Sequence, residues 1–127
     1  RNVVLMLKPK TDGGLFDGTS TESCKCLGGN LLELETSDEN EFIKNDLKTL
    51  NTEVEGYWIG GYNFNQDQDM EWISKPNQLM PFTDMESGQP NHPRTQSCMM
   101  IWRDFNFLWG DHTCDTLLLY ICEFELQ

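Results

Sequence analysis

The sequence predicts an α+β domain, a single unit over residues 1–127 stapled by disulfides. Three observations carry that prediction. Two helix signatures stand in the first half, runs of β-branched and aromatic residues fill the second, and five cysteines sit in 127 residues. The length suits one sizeable core. Hydrophobic residues make up 38% of the chain and aromatics 11%, which excludes a disordered acidic tail.

Val3 to Leu7 reads as a short apolar strand, followed by the turn-rich stretch Pro9 to Gly18. Thr19 with Glu22 forms a capping box and Gly28 with Gly29 a stop, so a short helix ends near Cys24 and Cys26. Leu32 and Leu34 then alternate with Glu33 and Glu35 at the period of a half-buried strand. The clearest helix follows. Thr36 and Glu39 make a second capping box, Asp38, Glu39 and Glu41 complement the positive end of the dipole, and Ile43, Leu47 and Leu50 share a face. It is expected to end near Asn51. Tyr57 to Gly61, Glu71 to Ser74, Cys98 to Trp102, Phe107 to Trp109 and Leu117 to Phe124 read as strands. Between Ser74 and Cys98, Pro76, Pro81, Gly88, Pro90 and Pro93 break every period. Irregular loops this long inside compact domains usually carry function.

Nine Lys and Arg against 21 Asp and Glu leave a formal charge of −12. Such a field repels phosphates and anionic lipids, so nucleic acid and membrane-surface partners are not expected. No apolar run approaches the roughly 18 residues of a membrane span. The chain opens at Arg1 without a basic and apolar leader, which is the expectation for a mature, processed form.

Cys24, Cys26, Cys98, Cys114 and Cys122 are too many for an ordinary cytosolic domain and suit a secreted one with two bridges. A zinc site needs clustered thiols at Cys-x2-Cys spacing, which this chain lacks. The odd count leaves one thiol over, and spacing alone ranks none of the roughly 15 pairing schemes. Facing narrows them. Two residues apart on a helix is about 200° of rotation, so Cys24 shares a face with Ser20 and Leu27 while Cys26 looks outward. Cys24 is therefore expected to be bridged within the chain, and Cys26 to be a free surface thiol or an interchain bridge. A frayed helix end would instead leave Cys26 as a small buried residue.

Taken in order, these pieces resemble the C-type lectin-like domain family. The match is carried by Cys24 with Leu27, Gly28, Gly29 and Leu32, by the helix holding Glu39, Asn40, Phe42 and Ile43, and by Trp58-Ile59-Gly60-Gly61 and Glu71-Trp72. It continues through Gly88-Gln89-Pro90-Asn91, Cys98, Trp109-Gly110-Asp111, Cys114 and Tyr120-Ile121-Cys122-Glu123. The resemblance implies bridges Cys24 to Cys122 and Cys98 to Cys114, with Cys26 unpaired. It also implies two helices flanking antiparallel sheets and a long irregular ligand loop over Ser74 to Ser97.

In calcium-dependent members, a Glu/Gln-Pro-Asn/Asp triplet, a Glu before the third cysteine and a Trp-Asn-Asp triplet surround one calcium ion that holds two vicinal sugar hydroxyls. The matching positions here are Gln89, Asn91, Gln96, Gly110 and Asp111. Gln89, Asn91 and Gln96 offer neutral carbonyl oxygens, Gly110 offers no side chain, and Asp111 alone brings a charge. Since affinity for calcium rises with carboxylate count, binding is expected to be millimolar or worse, or absent. Asp84 or Glu86 in the same loop could compensate. The family's auxiliary calcium positions fall on Asn63, Asp67, His92 and Ser97, a poorer set that is expected to stay empty. Glu-Pro-Asn members tend toward mannose-type hydroxyls and Gln-Pro-Asp members toward galactose-type. The hybrid Gln-Pro-Asn carries over neither preference. Trp102, with Phe105 and Phe107, flanks the site and could stack on a pyranose face; the competing reading ends a core strand at Trp102.

The expected function is a secreted carbohydrate-binding lectin that recognises vicinal sugar hydroxyls through the Gln-Pro-Asn loop, with weak or degenerate calcium dependence. Glycans are its expected partners, and Cys26 is the candidate link for a homodimer. The alternative is a domain without sugar binding that uses the scaffold for protein contacts or for mineral or ice surfaces, which the −12 charge suits for calcium minerals. An enzyme is not expected. His92 and His112 are the only histidines, no serine sits in a nucleophile elbow, and Asp67, Asp69 and Glu71 read as a solvated turn leading into a strand.

Overall fold

A computed structural model of the chain describes residues 8–9, 24, 28–114 and 118–124. The expected strand Val3 to Leu7, most of the expected first helix, and Cys26 lie outside these residues. Cys24 is helical, and Gly28 at φ 92° is followed by a bond from the Gly29 N–H to the Cys24 carbonyl (2.8 Å). That six-to-one closure over a left-handed glycine is a helix stop, as Gly28 and Gly29 predicted.

Helix α1 spans Ser37–Leu50. Thr36 is extended (φ −133°) and its hydroxyl accepts from the Glu39 N–H at 3.2 Å, while the Glu39 carboxylate takes the Thr36 hydroxyl and the Glu35 N–H. The helix ends where Asn51 turns left-handed and donates to the Leu47 carbonyl. Its buried face is Asn40, Ile43 and Leu47. Leu50, expected on that face, is half exposed because it lies in the last turn, about 50° to one side of the buried stripe.

The remaining elements are strands: β1 Lys8–Pro9, β2 Asn30–Leu31, β3 Gly56–Tyr62, β4 Glu71–Trp72, β5 Cys98–Trp102, β6 Leu108–His112, β7 Leu119–Tyr120 and β8 Cys122–Glu123. A 3-10 turn, Arg103–Phe105, joins β5 to β6. The main sheet runs β1-β7-β3-β5-β6, with β4 also on β3; β2 and β8 form a small second sheet. Among the described residues, the strand-to-strand pairings are antiparallel except β3 with β7. Trp72 and Trp109 are fully buried in one cluster with Ile43 and Leu47 of α1, Ile59 of β3 and Ile101 of β5, and Trp58 in a second with Leu31, Met100 and Leu118.

Two expected strands take another form. The Leu32 to Glu35 segment leaves the ladder after Leu31, and Glu33 is buried although alternation placed it in solvent. Both faces of this segment are covered, since the Leu32 N–H bonds to Ile121, the Leu32 carbonyl accepts from Gly60, and the Glu33 carboxylate receives the Ser74 N–H and hydroxyl. The Leu117 to Phe124 run is also not one strand. It splits at Ile121, whose N–H goes to the Trp58 carbonyl while its own carbonyl takes Leu32, so the chain crosses from the main sheet to the small one.

Disulfides join Cys24 to Cys122 and Cys98 to Cys114, the pairing the resemblance implied. The first closes 98 residues and the second 16. Between β4 and β5 the chain is irregular, so the expected long loop stands. Its middle, at Met85, touches β6 through a bridge to Trp109.

Candidate functional site

The site is built where the long loop lies along β6. Trp109 donates its N–H to the Asp84 carbonyl (2.9 Å), and Glu86 donates to the Trp109 carbonyl (2.8 Å). Residues 84–86 therefore run beside the start of β6. The chain then turns, with the Gln89 N–H on the Glu86 carbonyl (2.9 Å), and presents Gln89-Pro90-Asn91 across from Gly110 and Asp111. The Gln89-Pro90 peptide is cis.

Asp111 is 1% exposed and ties this turn together. Its Oδ1 accepts the Asn91 N–H at 3.3 Å and its Oδ2 the His92 N–H at 3.1 Å. Gln89 returns the contact, its Oε1 accepting the Asp111 N–H at 3.2 Å. Gln89 and Asp111 are thus linked side chain to backbone, and Asn91 joins them through its backbone N–H. Gln96 joins through its backbone, donating to the His92 carbonyl at 2.8 Å. Asn91 is exposed and Gln96 half-buried.

Trp102 closes the far side. It ends β5 half-buried, stacks on Phe105 (centroids 4.8 Å) and lies against His112 (5.0 Å). Its Nε1 is buried with no hydrogen-bond partner among the described residues. A Cβ built on Gly110 would stand 2.6 Å from that nitrogen and 3.2 Å from Gln89 Oε1. The space a side chain at 110 needs is therefore filled by the indole edge and the glutamine amide.

The donor set fits a strong calcium centre poorly. Both Asp111 oxygens already accept backbone N–H groups, Gly110 adds none, and among the described residues no group of three or more His, Cys, Asp or Glu converges as metal ligands do. Asp84 does not compensate. It faces α1, accepting from Asn40 Nδ2 (2.7 Å) and pairing with Lys44 Nζ (2.9 Å). Of the auxiliary positions, Asn63 is engaged: it is buried and its amide brackets Asp67, donating to the Asp67 carbonyl and accepting the Asp67 N–H.

Sequence reasoning missed what holds the loop's base. Asn40 Oδ1 accepts the Trp109 indole N–H at 3.2 Å while its amide nitrogen holds Asp84, so one α1 side chain spans β6 and the loop. The available signal was a polar residue three positions before Ile43 on the apolar face of the helix.

A family model described as the lectin C-type domain matches residues 18–124. A perlucin-like protein from Mytilus galloprovincialis is 26% identical over 104 residues, 81% of this chain and 66% of its own length. Perlucin from Haliotis laevigata is 31% identical over 104 residues, 80% of this chain and 65% of its own. The chain thus spans just under two thirds of these relatives. A solved structure of SPL-1 in complex with GlcNAc shares the fold at a TM-score of 0.77 and 22% identity, covering 94% of this chain and 84% of that one. The bridges, the long loop and the family match agree: this chain belongs to the C-type lectin domain family, whose members are binding proteins and not enzymes.

Proposed function

We propose that the domain is a secreted carbohydrate-binding module whose Gln89-Pro90-Asn91 turn recognises vicinal sugar hydroxyls with little help from calcium. The observation that carries this reading is the Asp111 carboxylate, which holds the Asn91 and His92 N–H groups and so fixes the turn with bonds supplied by the chain itself. A loop ordered before its ligand arrives avoids the entropy cost of ordering on binding. Asn91 and Gln96 then offer amide donors and acceptors to a pair of hydroxyls, and calcium binds no more tightly than millimolar. Two disulfides fit an oxidising, extracellular compartment. Cys26 is the proposed link to a second copy, which would convert weak single-site binding into bivalent binding.

A second reading is favoured by the carboxylate count, since Gly110 brings no ligand and Asp111 is already engaged. On that reading the scaffold contacts proteins or a mineral or ice surface. A glycan array probed with calcium and with chelator separates the two. Glycan signal that survives chelator supports the first reading, and no signal in either buffer leaves the second. Electrophoresis without and with reductant tests the Cys26 link: a dimer band lost on reduction supports it, and a free thiol at Cys26 in the native protein rules it out.

A further inference from the structure

The Asp111 turn uses only half of the Gln89 amide. Its Oε1 accepts the Asp111 N–H, which fixes the amide, while its Nε2 has no hydrogen-bond partner among the described residues. Gln89 and Pro90 also form part of the wall of a cleft of about 270 Å³. Gln68, Asp69 and Thr83 bring an amide, a carboxylate and a hydroxyl to the same cleft; all three residues are exposed, and no described residue bonds to their side chains. The nearby Asn63, Asn65 and Glu71 side chains are by contrast held by bonds within the fold. The cleft also has apolar wall at Met70, Met80 and Met85, whose thioethers adapt to irregular shapes. Asp69 is its one ionisable group and no cation lines it, so an anionic occupant is disfavoured.

Resting on the saccharide reading above, we infer that this cleft is a second sugar subsite, so that the ligand is a neutral oligosaccharide with one unit at the Gln89-to-Asn91 turn and the next against Gln68, Asp69 and Thr83. A pyranose carries hydroxyls around its edge and C–H groups on its faces, and so matches a wall that is both polar and apolar. Clefts for drug-sized ligands begin at about 300 Å³, so this one suits a single sugar unit. The shared wall at Gln89 and Pro90 lets adjacent units of one chain reach both places. One neutral hydrogen bond strengthens association by about fivefold. Two such bonds, less the cost of ordering the linkage, place a disaccharide about tenfold above the methyl glycoside of the same sugar.

Titration calorimetry with the methyl glycosides of mannose and of galactose, and with the 1→2-, 1→3- and 1→4-linked disaccharides of each, reads this ratio directly. The inference expects at least one linkage to show the tenfold advantage in the wild-type domain. In Asp69→Ala and in the Gln68→Ala/Thr83→Ala double variant, the ratio of disaccharide to monosaccharide affinity should fall to about twofold or less, since each removes polar groups from the second subsite. All three positions are exposed, so the fold survives for the comparison. Disaccharides that bind no more tightly than the methyl glycosides, or an advantage that survives both variants, overturn the inference and leave the saccharide reading standing. Binding by none of these sugars overturns both.

Discussion

Gly110 and Trp102 show how one residue's identity depends on another's shape. A side chain at 110 would meet the Trp102 indole nitrogen at 2.6 Å. Gly110→Ala should therefore cost about 1–3 kcal/mol through overpacking, measured by urea unfolding. Combined with Trp102→Ala it should cost less than the sum of the two single changes, because the smaller ring-free residue vacates the contested space. Additive costs would mean the clash is relieved elsewhere. Asp111→Asn should cost about 1–3 kcal/mol, since one carboxylate oxygen becomes an N–H group set against a backbone N–H, and sugar binding should fall with it. That Gly110 deletes a ligand could be read from the sequence beside its neighbours Trp109 and Asp111. What fills the space could not, because Trp102 reaches Gly110 only through the β5–β6 register, in which Trp102 faces Leu108 and Met100 faces Gly110.

Among the elements, α1 both fills the core and braces the ligand loop. Asn40 links Trp109 to Asp84, and Lys44 pairs with Asp84 at side-chain exposures of 13% and 23%. Asn40→Leu should cost about 2–3 kcal/mol because it strips the indole N–H of its acceptor and Asp84 of a donor. Lys44→Met should cost about 1–3 kcal/mol, more than a solvent-exposed pair, by leaving a half-buried carboxylate with one partner fewer. Both variants should also loosen residues 84–86, seen as faster amide exchange at Glu86 and Trp109, whose N–H groups join the loop to β6. Exchange unchanged at these two amides would remove α1 from the bracing role. The boundaries of α1 were legible because capping is local: Thr36 and Glu39 lie three residues apart. The division of Leu117 to Phe124 between two sheets was not, since it is decided by Trp58 and Leu32, distant in sequence and adjacent only in the fold.

For the whole molecule, cross-links and charge set the balance of stability. Closing 98 residues, the Cys24–Cys122 bridge should contribute about 4–5 kcal/mol in the loop-entropy model, and the 16-residue Cys98–Cys114 bridge about 3 kcal/mol. Paired Cys→Ala variants compared by denaturant midpoint should rank in that order. A net charge of −12 repels itself, so raising ionic strength from near zero to physiological should raise Tm. The fold could be read from the order of cysteines, glycines and tryptophans along the chain, while the self-bonded state of Asp111 could not, because its partners lie about 20 residues earlier in a loop without period. The most direct measurement is saccharide affinity by titration calorimetry in calcium and in chelator, for wild type and Asp111→Asn. Recognition through a turn held by Asp111 requires wild-type binding that loses no more than about tenfold, some 1.4 kcal/mol, in chelator and collapses in the variant. Saccharide binding that vanishes with calcium removal, or that Asp111→Asn leaves intact, would contradict it.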